Sequence, residues 1–335
     1  MRVKAVQIAE DLGISKATVS LALNGKPGVS EQTRNKILEY KDYLEKGGQA
    51  PAAGKAGGQI VILLVINGKN ISYNSEIDLL TEVLAACETE ARKKGYTLSV
   101  LYADIQKEPI ENFVEKYSSG QADGVILIAT ELEDDQIRKF ESIRAPMVIY
   151  DNESPDAMHN CVAADNALGV RRAVEYLFAK GCRNITYLAN RETIYNFRKR
   201  REAYCSVMLE HNLIPYQSIV EIGTTVNSVK EAMRSYLNTH KLPDAFIMEN
   251  YQVTIGTMQV LKEKGVHIPA ELQLVGIDTV PAFMTADCKM TAVSIPHAER
   301  AVLAMMMLER EMTEPMNIKS RVLIDCKLVM GESTK

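Results

Sequence analysis

From residue 59 onward, short aliphatic runs alternate with longer amphipathic segments, and that alternation leaves few folds open. "IVILLVI" (60–66) precedes a helix pattern over 76–94, and "TLSVLYA" (97–103) precedes one around 109–118. "GVILIA" (124–129) and "PMVIYD" (146–151) bracket another near 133–142. Strands that are apolar throughout belong inside a parallel sheet covered by helices on both faces. The pattern then begins again: a helix over 166–181 closed by Gly181, the strand "NITYLAN", and a helix over 197–212. Strand–helix pairs follow at 218–222 with 226–240 and 244–249 with 250–264, before the strand at 272–278. Two doubly wound halves suit 335 residues better than one very large sheet. Ligands of such folds bind outside the carboxyl ends of the strands, so two facing halves enclose a cleft.

Residues 1–46 read differently. Ala5, Ile8, Ala9 and Leu12 make one helical stripe, Gly13 permits a sharp turn, and Ser15 is placed to cap a second helix. On that helix Val19, Ala22 and Leu23 face one way as core. Ala17, Ser20, Leu21 and Asn24 form a presented surface, on which Leu21 is an apolar side chain toward solvent. A third helix is expected from Ser30, with Val29 as a staple and Glu31 at its positive end, and Ile37, Leu38 and Leu44 close the bundle. Helix, turn and short second helix is the helix-turn-helix pattern, whose second helix enters the major groove. Lys16, Thr18, Ser20, Asn24, Thr33 and Arg34 supply hydrogen-bond donors for phosphates. This segment carries +2 of formal charge and the remainder −6, within a net −4, so only the small module has the sign that suits nucleic acid. Between the two regions, residues 47–58 read "GGQAPAAGKAGG", a linker with no large apolar residue.

"IAEDLGISKATVSLALNGKPGVSEQTRNKILE" closely resembles the DNA-binding domain of the LacI/GalR family of bacterial transcription repressors. The resemblance places base reading on Lys16, Ala17 and Leu21, and backbone clamping on Thr18, Ser20, Asn24, Ser30 and Thr33. Apolar contact from Leu21 would suit a thymine methyl group. Two departures stand out. Lys4 replaces the family's Thr cap on the first helix. The family's hinge helix, with its minor-groove Leu, is replaced by "AAGKAGG" after Pro51. Either the linker is a flexible tether or it orders in another way; the entropy cost of ordering glycine favours the tether.

The resemblance extends to about residue 330 through "VAADNALGVRRAVEYLFAKGCRNITYLA", with Arg183 at the family's His position, and through "VGID" and "MTAVSIPHAERA". It implies a three-helix helix-turn-helix domain followed by a two-lobed α/β domain of periplasmic-binding-protein type over 59–335. The N-lobe would hold about 59–161 and 292–322, the C-lobe about 162–291 and 323–335, with crossovers near 160–163, 290–294 and 320–324. Effector contacts map to Tyr73, Asn74, Asp151, Asn196, Arg200, Tyr251 and Asp278. Arg200 offers a guanidinium fork for an anion or hydroxyl-rich ligand; its alternative is a solvated place in the run "RKRR". Asp151 and Asp278 have the alternative of capping or loop roles. Tyr251 stands where sugar- and purine-binding relatives carry Asp, and a phenol is no bidentate acceptor. An aromatic or apolar ligand, a sugar in another orientation, or no small molecule all remain open there.

The function implied is sequence-specific regulation of transcription. A homodimer would bind double-stranded operator DNA, with its affinity set by a small-molecule effector, a sugar or other metabolite, in the interlobe cleft. The six scattered cysteines (87, 161, 182, 205, 288, 326) lack metal or disulfide spacing, and the longest apolar run is far below the roughly 20 residues of a membrane helix. A reduced, cytoplasmic protein without membrane attachment is expected. With no Ser-x-x-Lys, Gly-x-Ser-x-Gly, His-x-x-x-His or phosphate-loop pattern, neither catalysis nor a cofactor nor a metal is expected. The five histidines (159, 211, 240, 267, 297) are expected at peripheral surface or packing positions. A transport receptor is the other class that such a two-lobed domain permits, and the attached helix-turn-helix argues against it.

Overall fold

The computed structural model describes residues 8–9, 14–26, 28–30, 33–34, 37–38, 41, 58–69, 79–118, 122–154, 158–315 and 317–335. The expectations for Lys4, Ala5, Leu12, Gly13, Leu44, the linker up to residue 57, Tyr73 and Asn74 fall outside them. The chain forms two compact units, one of Met1–Gly58 with Lys94–Tyr96 and one of Gln59–Lys93 with Thr97–Lys335.

In the first unit, helix α1 spans Lys16–Leu23. Ser15 caps it, its Oγ accepting from Thr18 N at 3.1 Å. Asn24-Gly25 ends it. Gly25 takes the left-handed conformation, while Gly25 N and Lys26 N donate to Ala22 O and Leu21 O, closing the last turn. Val19 and Ala22 are buried with Ile8, Ala9 and Ile37, and Ile14, Leu23 and Val29 pack around them. Leu38 corrects an expectation: it is 40% exposed, because Ile37 holds the inward position and successive helical side chains diverge by about 100°. Replacing Ser15 by alanine removes the cap and is expected to cost this unit about 1 kcal/mol, read as a lower midpoint in its denaturation.

The second unit contains two six-stranded sheets. In the first, β1 (Gln59–Ile66), β2 (Thr97–Asp104), β3 (Gly124–Ile128), β4 (Met147–Tyr150), β5 (Asn160–Ala164) and β11 (Arg321–Ile324) lie in the order β11-β5-β4-β3-β1-β2, all parallel. In the second, β6 (Ile185–Asn190), β7 (Ile219–Gly223), β8 (Ala245–Met248), β9 (Gln273–Ile277), β10 (Thr291–Ser294) and β12 (Lys327–Val329) lie in the order β12-β10-β9-β8-β6-β7. Only β12 is antiparallel there. It follows β11 after two residues, so the chain enters the second sheet at the strands' carboxyl end and must run back along it.

Helices α2 (Leu79–Lys93), α3 (Ile110–Ser118) and α4 (Asp134–Lys139) belong to the first lobe. Helices α5 (Asn166–Ala179), α6 (Tyr195–Glu210), α7 (Val226–Thr239) and α8 (Tyr251–Glu263) belong to the second, and α9 (His297–Thr313) returns to pack on β3, β4 and β5. Val61, Leu63, Val125, Leu127 and Ile149 build one core. Tyr187, Ile247 and Val275 face one core of the second lobe, Leu188, Phe246 and Leu274 the other, as continuous apolar strands require.

The crossovers sit later than expected. The runs 160–164, 291–294 and 321–324 are themselves paired strands, and β10 belongs to the second sheet rather than the first. The chain changes lobe just after each of them, around 165, 295–296 and 325–326. All three crossings leave the carboxyl end of a strand, so they lie together beside the cleft. Where α5 crosses, a Cβ on Gly169 would meet Val293 Cγ1 at 2.7 Å, so only glycine lets the helix come this close.

Candidate functional site

Two surfaces merit attention. On α1, Lys16, Ala17, Ser20 and Asn24 are exposed, and Thr18 and Leu21 are half-buried. Leu21 is therefore less solvent-facing than its pattern suggested. Its Cδ1 lies 3.7 Å from where a Cβ on Gly28 would be, so it packs against the turn that follows the helix. Gly28 has φ +108°, a conformation that favours glycine, which explains the residue at the tip of "NGKPG". Several hydroxyls of this face are paired locally: Ser15 Oγ with Thr18 Oγ1 at 2.8 Å, Ser30 Oγ with Thr33 Oγ1 at 2.7 Å. Asn24 Nδ2 donates to Ser20 O at 2.7 Å.

Arg34 has a different position from the other proposed phosphate donors. Its Nη1 donates to Ala22 O at 3.0 Å and its Nη2 to Lys26 O at 2.6 Å. The guanidinium ties the third segment to the carboxyl end of α1, where a cation is favoured by the helix dipole. Arg34 thus sets the position of the presented helix through its backbone carbonyls.

The second surface is the cleft between the lobes, which holds a cavity of ≈ 110 Å³. Two aspartates stand at its floor in matching places. Asp151 follows β4 and Asp278 follows β9, each the third strand in its sheet, and both adopt left-handed backbone, φ 65° and 76°. Each amide donates to the neighbouring strand, Asp151 N to Val162 O and Asp278 N to Val293 O, both at 2.9 Å. The first turn of α9 answers both carboxylates. Arg300 Nη1 donates to Asp151 Oδ1 at 2.7 Å, and His297 Nε2 lies 3.0 Å from Asp278 Oδ2. His297 and Arg300 are three apart and share one helix face. His297 thereby links a first-lobe helix to a second-lobe loop.

Around Asp151 the hydrogen bonding is dense. Oδ2 accepts from Thr130 Oγ1 at 2.7 Å and from Asn196 Nδ2 at 3.1 Å. Burial alone would raise its pKa; the Arg300 guanidinium and the Thr130 hydroxyl outweigh this and hold it below the usual carboxylate range. Arg300 Nη2 also donates to Tyr150 OH at 2.9 Å, and burial pushes that phenol up to about 12. Arg300 Nε is buried without a partner.

Asn196 and Arg200 rise from the first turns of α6. Asn166 Nδ2 donates to Asn196 Oδ1 at 2.8 Å, and Arg200 Nε donates back to Asn166 Oδ1 at 2.7 Å. Arg200 is 6% exposed and its Nη1 donates to Glu249 O at 2.7 Å, so it is a buried member of the cleft rather than a solvated one of "RKRR". Tyr251, at the start of α8, is buried and lines the cavity. The aspartates, Asn196, Arg200 and Tyr251 therefore converge. Asn166, His297 and Arg300 were not anticipated. His297 corrects the expectation of peripheral histidines: Pro296, immediately before it, lies in the crossover that brings α9 to the cleft floor. Its signal in the sequence was the i, i+3 pair of basic residues in "HAER".

Further contacts tie the lobes along the cleft edge. Glu133 in the first lobe accepts from Lys69 Nζ and from Arg198 Nη1, each at 2.8 Å, and Lys69 Nζ also donates to Thr193 O at 2.8 Å. Tyr195 OH donates to Glu153. Among the described residues no three His, Cys, Asp or Glu side chains gather as a metal site, and no helix is long and apolar enough to cross a membrane.

Family comparison matches residues 6–40 to bacterial regulatory proteins of the lacI family and residues 174–334 to a periplasmic binding protein-like domain. The chain is 26% identical to a ribose operon repressor of Halalkalibacterium halodurans over 331 residues, 98% of this chain and 96% of that protein. It is 24% identical over 339 residues to catabolite control protein A of Priestia megaterium, covering 100% of both. Among solved structures it is similar to a lac repressor dimer bound to operator and the anti-inducer ONPF, with TM-score 0.72, 20% identity, and 100% and 99% of the two chains covered. It is similar also to a CelR–cellobiose complex, with TM-score 0.71, 20% identity, and coverage of 99% and 100%.

Proposed function

The chain belongs to the lacI family of bacterial regulatory proteins, and on that premise we propose that it acts as a homodimer on a pseudo-palindromic operator, one α1 helix per half-site. It is a DNA-binding transcriptional regulator of the repressor type and not an enzyme. In this reading it works in the cytoplasm. Lys16, Ala17 and Leu21 read base edges, and Thr18, Ser20, Asn24, Ser30 and Thr33 approach phosphates, while Arg34 orients α1. A small molecule bound among Asp151, Asn196, Arg200, Tyr251 and Asp278 shifts the lobes and, by linkage, the affinity for DNA.

The observation that carries the proposal is a capped helix with an exposed polar face, in one chain with a two-lobed unit whose cleft gathers charged side chains from both sheets. Selection of bound sequences from a random DNA pool by the full chain is the test. Recovery of a symmetric site is expected; a pool with no symmetric enrichment would overturn the proposal.

A further inference from the structure

The polar groups of the cleft are unevenly matched, and the mismatch bears on what the cleft takes up. Arg201, the residue after Arg200 on α6, pairs with Glu249 at 2.7 Å, and of the two arginines that line the cavity Arg300 has the carboxylate of Asp151 at 2.7 Å. Arg200 has none. Its two hydrogen bonds go to neutral acceptors, the Asn166 amide oxygen and the Glu249 backbone carbonyl, and among the described residues no protein acceptor meets its Nη2. A guanidinium that is 6% exposed with no carboxylate in direct contact is an unusual and costly arrangement. An anion delivered by a ligand resolves it, and a carboxylate fits the guanidinium geometry best.

Beside its polar groups, the cavity also has apolar walls that suit a hydrocarbon or aromatic ligand body. Leu64, Leu80, Val83 and Ile128 from the first lobe face Ile194 and Phe197 from the second. The acceptors that a ring of hydroxyls would need are already engaged. Asp151 receives donors from Arg300, Thr130 and Asn196, and Asp278 pairs with His297 and Thr279 N. Nor does Tyr251 present a carboxylate.

We propose that the cleft binds a small monocarboxylate with an apolar or aromatic body, its carboxylate on Arg200 and its body between the two aliphatic walls. This rests on reading the cleft as the effector site. Bound there, the ligand completes the ion pair that Arg200 lacks and touches both lobes at once.

The test is thermal denaturation of the full chain with 3-phenylpropionate and 4-methylpentanoate, each beside its amide, and with ribose and cytidine. The carboxylates are expected to raise Tm by about 2 °C or more at saturating concentration, and the amides, which keep shape but lose charge, to bind at least about tenfold more weakly. Calorimetric titration of the Arg200→Gln chain should show the carboxylate's advantage over its amide lost, and Arg200→Lys should restore part of it. If Arg200→Gln does not fold, the acid–amide comparison on the unaltered chain decides alone. No shift from either carboxylate, or equal shifts from acid and amide, overturns the proposal. A shift from ribose or cytidine alone overturns the carboxylate class but leaves the effector reading standing. Operator affinity that no bound compound alters overturns the effector reading instead.

Discussion

Replacing Arg300 by leucine is expected to destabilise the second unit by about 3–5 kcal/mol, the cost of leaving a buried carboxylate without its cation. Arg300 is nearly inaccessible, and its two terminal nitrogens hold Asp151 and the Tyr150 phenol, so no water replaces it easily. Urea denaturation reads the loss as a lower midpoint at unchanged slope. Combining Arg300→Leu with Asp151→Asn removes the orphaned charge and should recover part of the loss; no recovery would mean that Arg300 acts through packing alone.

The same pair fixes a pH dependence whose sign reverses in the variant. In the unaltered chain the Asp151 pKa is depressed, so its contribution is present above the unfolded value of about 3.9 and is lost as pH falls through the folded value. Without Arg300, burial dominates and the Asp151 pKa rises. A group raised in the folded state favours folding at low pH and loses that advantage as pH increases. The deficit of Arg300→Leu is therefore expected to be larger at pH 7 than at pH 4, measured by denaturation at both. An equal deficit at both values would count against Asp151 as the group exposed by the substitution.

Leu21→Arg is expected to change which operator is preferred. A leucine favours contact with a thymine methyl, whereas an arginine fork favours guanine O6 and N7, and each such preference is worth about 1–3 kcal/mol per base pair. In a symmetric site the effect enters twice, so relative affinities for thymine- and guanine-bearing operators should move by about 10²-fold or more. Titrations of the two operators at one salt concentration measure this. Because Leu21 also packs against Gly28, a modest fall in stability accompanies the change. An unaltered preference would leave that packing as the residue's whole role.

Much of the architecture was legible because it depends on local pattern. Continuous aliphatic strands between amphipathic helices announced two parallel sheets, and Ser15 marked the start of α1 through capping chemistry that acts over four residues. Leu38 was misread since neighbouring helical positions compete for the same core and only packing selects Ile37. The crossovers were misplaced by a few residues for a similar reason. A short apolar run looks alike whether it joins a sheet or leaves it, and the hydrogen bonds of β5, β10 and β11 come from strands distant in sequence.

The candidate site divides along the same line. Asp151, Asn196, Arg200, Tyr251 and Asp278 were found individually from matching motifs, and the structure gathers them around one cavity. Their pairing was not legible. Asp151 meets Arg300 across 149 positions and Asn196 across 45, and His297 reaches Asp278 only because α9 begins beside the cleft. By itself the sequence determined the class of fold, the presented helix and the residue types available to the cleft, all properties of short-range periodicity and side-chain chemistry. Tertiary structure alone decided which charges neutralise one another and which is left over, because ion pairing depends on proximity in space, and chain separation carries no record of it.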